Sequence, residues 1–301
     1  MFLIFLQNAA MAAGFPISKF LVRYITPFHQ AGIRLLFSGL IMSVFAHRIR
    51  HLWLPATKGM SWRTKQQIFG FGFFFFYLSM GCGAWALTKI PTGYTSLAYN
   101  TVPFIVALLS YFYFGERLVA LQWLGMVIGF AGMALGMQFS AAVPFDTVAT
   151  CMLVLAVTSY AFGFVLLKIL VTAGLPGEFV NACGMLNGAA LALLTSYFLE
   201  SGEVQHGLHT MVPMAIVVCS SMMAGLLNGY LMKIYPATLL AFSSFLIPLC
   251  ATSYSWIFLG ESIQPQFFAM VGFVLVGLYL FLMPKRRVES SVEEKEVSGK
   301  I

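Results

Sequence analysis

The sequence predicts an all-α polytopic membrane protein of ten transmembrane helices, arranged as two inverted five-helix repeats. Three observations carry this. The 301 residues are 60% hydrophobic and only 9% charged, whereas soluble domains carry about 25% charged residues. Apolar runs long enough to cross a hydrocarbon layer of ~30 Å recur along the whole chain. The chain also repeats itself. Gly14-Phe15, Lys19, Leu21-Val22 and Pro27 recur as Gly163-Phe164, Lys168, Leu170-Val171 and Pro176. Pro103, Gly115-Glu116 and Gly132 recur at one constant offset as Pro248, Gly260-Glu261 and Gly277. Matching motifs in two halves of a membrane chain mark a duplicated transporter scaffold.

The expected spans are 2–23, 28–46, 67–87, 92–113, 118–138, 148–169, 177–199, 211–231, 236–258 and 266–284. The first runs directly into the repeated motif, so it is a membrane span and not a cleaved signal. After the second span, the loop 47–66 carries Arg48, Arg50, Lys58, Arg63 and Lys65, and the C-terminal tail carries Lys285, Arg286 and Arg287. Both belong on the cytoplasmic side, which ten spans allow if the N-terminus is also inside. Loops 139–147 and 200–210 hold Asp146, Glu200 and Glu203 but no lysine or arginine, whereas Lys19, Arg23 and Lys89 run against the rule as outer-end residues. The fourth and ninth spans each hold a mid-helix proline, and the fifth holds two GxxxG patterns (Gly125, Gly129, Gly132, Gly136) that suit close helix packing.

Five spans per half is an odd number, so the second half is inserted upside down. Arginine follows the Gly-Glu pair only in the inner copy: Gly115-Glu116-Arg117 against Gly260-Glu261-Ser262. The first repeat covers 1–143, the second 144–284, and 285–301 reads as a disordered, polar cytoplasmic tail. The net charge of +7 lies mainly in one loop and the tail, so it is a topology signal and not a nucleic-acid footprint. Five cysteines, all in apolar segments without CxxC spacing, read as packing residues.

Lys19, Pro27, Arg34, Pro103 with Phe-Gly115-Glu116-Arg117, and Pro248 with Leu-Gly260-Glu261 resemble the drug/metabolite transporter superfamily, EamA type, over nearly the whole chain. The resemblance implies ten helices, two inverted repeats, a central substrate cavity and alternating access. It leaves the substrate open, because that family moves amino acids, sugars, nucleotide derivatives and drugs on one scaffold.

Pro103 and Pro248 each free the carbonyl four residues earlier, at Tyr99 and Ser244. Interrupted helices at matched places point to a binding site. The expected substrate-binding set is Tyr99, Asn100, Ser243, Ser244, Asn8, Ser159, Tyr160, Tyr77 and Asn228, with Pro103 and Pro248 as hinges. Trp85 and the phenylalanine run 73–76 read as packing or lipid contacts. Lys19 and Lys168, near the ends of their helices, serve as snorkelling cations, anion contacts or gates. Arg34 sits inside the second span with no acid at its depth, so its partner is a backbone carbonyl, water or the substrate. Glu116 and Glu261 read as helix N-terminal carboxylates ahead of spans five and ten.

All ten acids and all five histidines lie at helix ends, in loops or in the tail. That favours exchange or facilitated transport over proton antiport. It also leaves no residue set for a membrane enzyme, whose chemistry needs carboxylate or histidine clusters. The expected protein is a carrier in the bacterial inner membrane, with both termini cytoplasmic, as a monomer or homodimer. Its partners are a small-molecule substrate and the lipid bilayer, without cofactor, metal or nucleic acid. An amino acid or amino-acid derivative leads as substrate. The alternatives are S-adenosylmethionine or a nucleotide derivative, and an organic cation for export.

Overall fold

A computed structural model describes residues 2–48, 60–90, 92–136, 146–200, 207–259 and 265–298. The expected loop cations Arg50 and Lys58, most of loops 139–147 and 200–210, and Glu261 with its Gly260 lie outside these residues. Among the described residues the regular structure is entirely helical. In chain order the helices are α1 (Phe2–Leu21), α2 (Pro27–Arg48), α3 (Trp62–Ala86), α4 (Thr92–Tyr99), α5 (Val102–Phe114) and α6 (Ala120–Gly136). Then come α7 (Thr147–Thr172), α8 (Gly177–Leu199), α9 (Leu208–Ile234), α10 (Ala237–Ser243), α11 (Leu246–Leu259) and α12 (Pro265–Ser298). Six stretches are long and apolar enough to cross a membrane: Pro27–His47, Trp62–Ala86, Leu97–Phe114, Thr147–Thr172, Gly177–Leu199 and Leu208–Ile234. Ala120–Leu135, Ala237–Cys250 and Phe267–Met283 are shorter apolar helices. Phe112, Phe198 and Leu199 are each more than 70% exposed. In water such faces would associate; in hydrocarbon they are solvated.

Proline sets several helix starts. Pro27 and Pro265 open α2 and α12, and Pro176 and Pro236 immediately precede α8 and α10. At a helix start the missing N–H costs nothing, because the first N–H groups have no intrahelical acceptor. The next two donors of α2 are satisfied from another helix: the amides of Phe28 and His29 donate to the Glu200 carboxylate at 2.9 and 3.1 Å. Asp146 caps α7 by accepting from the Ala149 amide at 3.0 Å. Gly115 ends α5 in the left-handed region (φ 66°), where residues other than glycine are strained.

Several helix pairs approach backbone to backbone. A Cβ on Gly125 of α6 would lie 2.6 Å from the Gly277 carbonyl oxygen of α12, and one on Gly277 would lie 2.5 Å from that of Gly125. This is the close approach that the GxxxG spacing predicts. Gly177 of α8 meets Gly229 of α9 in the same way, at 2.6 Å. The main core gathers Phe71, Phe75 and Phe76 of α3, Phe164, Leu167 and Leu170 of α7, and Phe179, Val180 and Met185 of α8.

Spans four and nine, which the sequence reads as interrupted at matched prolines, are each two helices, separated at Asn100–Thr101 and at Ser244–Phe245. Two elements differ from their sequence expectation. Glu116 is not at the start of a helix, since α6 begins only at Ala120. Its carboxylate instead accepts from the Thr238 hydroxyl at 2.9 Å, tying the end of α5 to α10. The backbone of α12 continues past Pro284 to Ser298, where the sequence suggests a disordered tail. Glutamate and lysine, which dominate the segment 289–296, are good helix formers and extend the turn that α12 supplies.

Candidate functional site

A cavity of about 1170 Å³ is lined by α1, α2, α3, α4, α7, α8, α9 and α11. One part is aromatic. α3 is wound as a π-helix over Gly72–Leu78, a local widening often found at functional sites. That segment presents Phe75 and Phe76 to the cavity. The Tyr160 ring of α7 stacks on Phe75 at 4.7 Å and meets Tyr99 edge-on at 6.0 Å. The Tyr99 hydroxyl donates to the Ser79 carbonyl at 2.9 Å. Gly83 makes room for that hydroxyl, which would lie 2.5 Å from a Cβ there.

Another part is polar and basic. Gln30, Ala31 and Arg34 share one face of α2, opposite Gly14 and Ser18 of α1 and Ser220, Ser221, Ala224 and Asn228 of α9. The Arg34 Nε donates to Ser221 Oγ at 2.5 Å, and its Nη1 lies 3.5 Å from Ser18 Oγ. The Ser221 hydroxyl donates to the Val217 carbonyl, and that of Ser220 to the Ala10 carbonyl. Among the described residues, three cavity-lining amides each keep one buried, unpaired atom: Asn100 Nδ2, Asn181 Oδ1 and Asn228 Oδ1. The described lining residues include the cations Lys19, Arg23 and Arg34 and no aspartate or glutamate.

The two ends of the cavity differ. Lys19 and Arg23 line it and are exposed, so it reaches the surface beside the end of α1. There Leu21 and Ile25 pack on Met214 and Val217 of α9. Lys168 sits at the opposite end of α9, where its Nζ donates to the carbonyls of Met232 and Tyr235 at 2.7 and 2.8 Å. From Met214 to Met232 is about 27 Å of helix. Around Lys168 the side chains of Leu167, Leu170, Leu231 and Ala237 are almost wholly buried.

The expected site residues separate into two groups. Tyr99, Asn100, Tyr160, Asn228, Ser244 and Pro248 line the cavity with Lys19 and Arg34. Asn8, Ser243, Ser159, Tyr77, Pro103 and Lys168 are not among the lining residues. Asn8 donates to Ser243 Oγ at 3.0 Å and to the Ile4 carbonyl, so this pair pins α1 to α10. Tyr77 shares a 2.8 Å hydrogen bond with Thr195 of α8. Ser159 and Pro103 are buried. The Ser244 carbonyl, expected to be freed by Pro248, accepts from the Ile247 amide at 2.9 Å, because the helix break allows a tighter turn. Two Arg34 donors go to the hydroxyls of Ser221 and Ser18, partners that the sequence reading did not include. Sequence reasoning missed Phe75, Phe76, Ser79, Gln30, Asn181 and Tyr254. The polar ones carried the same signal as the chosen residues, a polar group inside an apolar span. The phenylalanines carried none, because a run of four covers most of a helix's circumference and does not show which members face the cavity.

A model of the EamA-like transporter family matches residues 1–137 and again 147–283. The S-adenosylmethionine/S-adenosylhomocysteine transporter of Chlamydia trachomatis serovar L2 is 24% identical over 295 residues, covering 93% of this chain and 88% of that protein. The protein of the same name from Chlamydia muridarum is also 24% identical, over 93% and 90%. An uncharacterized transporter of Synechocystis is 29% identical over 44% of this chain and 37% of its own length. A solved crystal structure without a functional description superposes with a TM-score of 0.78 at 19% identity, over 95% of this chain and 98% of that one.

Proposed function

The chain belongs to the EamA-like transporter family, and from that premise we propose that it exchanges an adenosyl amino acid of the S-adenosylmethionine and S-adenosylhomocysteine type across a bacterial inner membrane by alternating access. The observation that carries this is the cavity of about 1170 Å³, which reaches the surface beside Lys19 and stops short of the end that Lys168 ties together. Pockets for drug-sized ligands occupy roughly 300–1,000 Å³, so this space suits a substrate larger than a free amino acid. The Phe75–Tyr160–Tyr99 cluster offers faces for a planar ring. The names of two full-length relatives point to the same class. Size and relatives thus favour the alternative over the amino acid that led on sequence grounds. An organic cation without a carboxylate fits poorly, because the described lining residues include three cations and no carboxylate; S-adenosylmethionine, although a sulfonium, carries a carboxylate that such cations can meet.

Ten crossings in two inverted halves remain our reading of the architecture, and the helix pairings support it. α1 packs on α9 and on α11; in exchanged form, α7 packs on α3 and on α5. The like pairs α2 with α8 and α6 with α12 also meet. A two-fold relation between the halves produces these pairings. With both termini inside, the Lys19 end faces outward and the structure is an outward-open state. Lys168 then acts as the inner latch, and Lys19 takes the equivalent role when the other end closes.

Counterflow tests the substrate class. Proteoliposomes are preloaded with S-adenosylhomocysteine, free amino acids, nucleosides or sugars, and uptake of labelled S-adenosylmethionine is followed. Trans-stimulation by S-adenosylhomocysteine, reduced in Tyr99→Phe/Ser244→Ala, is the expected result. Stimulation of labelled amino-acid uptake by amino acids alone would refute the adenosyl class and keep the carrier.

A further inference from the structure

The cavity holds one feature that the carrier reading leaves unused: a fixed cation without a counter-charge. Arg34 carries five N–H donors. Among the described residues, Nε is used by Ser221 and one Nη1 donor reaches toward Ser18 at the limit of hydrogen bonding. Both acceptors are neutral hydroxyls. The remaining three donors have no partner among the described residues. The hydroxyl protons of Ser221 and Ser220 point away, to carbonyls of α9 and α1, so the serines place the guanidinium without neutralising it.

Gly14 completes the arrangement. A Cβ at that position would lie 3.4 Å from Arg34 Nη2 and 3.6 Å from Ser220 Oγ. Any longer side chain would cover the Nη2 edge. Glycine leaves that edge open, and both Gly14 and Arg34 line the cavity. A cation deep in a membrane protein is costly unless a partner compensates it. The described cavity-lining residues supply no carboxylate, so the partner that fits is an anionic group on the transported molecule. Its planar fork matches a carboxylate in two-point contact, which a lysine cannot reproduce.

We infer that Arg34 is the specificity-determining residue that reads a substrate carboxylate, with Ser221 and Ser18 orienting it and Gly14 leaving the approach open. The inference rests on the carrier reading but not on the adenosyl class: it requires only that the transported molecule bear a carboxylate. Bare nucleosides, decarboxylated analogues and organic amines are then discriminated against, whatever the rest of the molecule fits.

The test uses matched pairs that differ only in the carboxylate: S-adenosylmethionine with its decarboxylated analogue, and phenylalanine with phenethylamine. Thermal stabilisation of the detergent-purified protein is titrated with each member, and each then competes in the counterflow assay. The wild-type protein is expected to bind one carboxylate member at least ten-fold more tightly than its partner, because hydrogen bonds to charged groups are the strong ones. Arg34→Gln should abolish the difference within that pair, Arg34→Lys should restore only part of it, and Gly14→Val should weaken the carboxylate member selectively. Equal response within every pair in the wild type overturns the assignment and needs no variant that folds. So does failure of every carboxylate member to bind. If phenylalanine discriminates and S-adenosylmethionine does not bind, Arg34 stands and the adenosyl class falls.

Discussion

Lys168→Met should unlatch the closed end of the protein. The methionine keeps the length and apolar stem of the lysine and removes the donors. Two hydrogen bonds are lost, of 2.7 Å to the Met232 carbonyl and 2.8 Å to that of Tyr235. One acceptor lies in the last turn of α9 and the other on Tyr235, the cap residue that follows it, at the end where final carbonyls lack intrahelical donors and carry the negative end of the helix dipole. A hydrogen bond from a charged donor contributes about 1.5–3 kcal/mol, so the pair could reach several kcal/mol. Lys168 is only half buried, and a lysine released from the latch regains water, so about 2 kcal/mol is the working figure. Since 1.4 kcal/mol is a factor of ten, the fraction of molecules open at this end should rise about 30-fold. Ala237 is 0% exposed and follows Pro236 at the same end. In a cysteine-free background, Ala237→Cys reports opening by its rate of reaction with a membrane-impermeant maleimide. Lys168→Met should raise that rate by more than ten-fold. A change below two-fold, with the protein folded, would show that the lysine bonds do not hold the end shut.

Four further outcomes follow from the packing. Gly277→Val should lower the melting temperature in detergent by several degrees, since its Cβ would stand 2.5 Å from a backbone oxygen that no rotamer change can move; Gly272→Val, with open space around it, is the control. Gly83→Ala should reduce transport with little loss of stability, by pushing the Tyr99 hydroxyl off the Ser79 carbonyl, and pairing it with Tyr99→Phe should cause no added loss. Glu200→Gln weakens the cap on α2 by about 1 kcal/mol, measured as a lower melting temperature that Glu200→Asp does not fully restore. Lys19→Met should leave the closed end as it is and slow counterflow, because it removes the latch proposed for the opposite state; unchanged exchange would remove that role.

Much of this molecule was legible because membrane chains write their periodicity in apolar composition, and because duplication prints each landmark twice. The matched prolines located both helix breaks, and the glycines of the fifth span named the face that meets α12. Which polar groups meet the cavity was less legible. Asn8 and Asn228 look alike in the sequence, both polar within apolar runs, yet Asn8 is spent on Ser243 and the Ile4 carbonyl while Asn228 lines the cavity. The difference lies in helix rotation, which is set by packing across the bundle. Phe75 and Phe76 were hidden for another reason. A 3.6-residue period cannot show that a π-turn has advanced the face of α3.

Lys19 and Lys168 occupy matched places in the repeated motif, yet in one structure they do different things. Lys168 is bonded to the end of α9, while Lys19 stands exposed at the cavity mouth. If the halves are related as proposed, this asymmetry is one of conformation, and a state with the two environments exchanged would close the mouth beside Lys19 and open the far end. The element that would receive Lys19 is at hand. α3 ends at Ala86, and the next residue, Leu87, lines the same cavity as Lys19, while α9 ends at Ile234 ahead of Pro236. Arg34 has no such mate at a cavity edge: it lies between α1, α2 and α9, where its hydroxyl partners hold it while the ends alternate. On the proposed reading, a duplicated pair of lysines would serve the two ends and Arg34 the substrate, a division of labour suited to alternating access around one site.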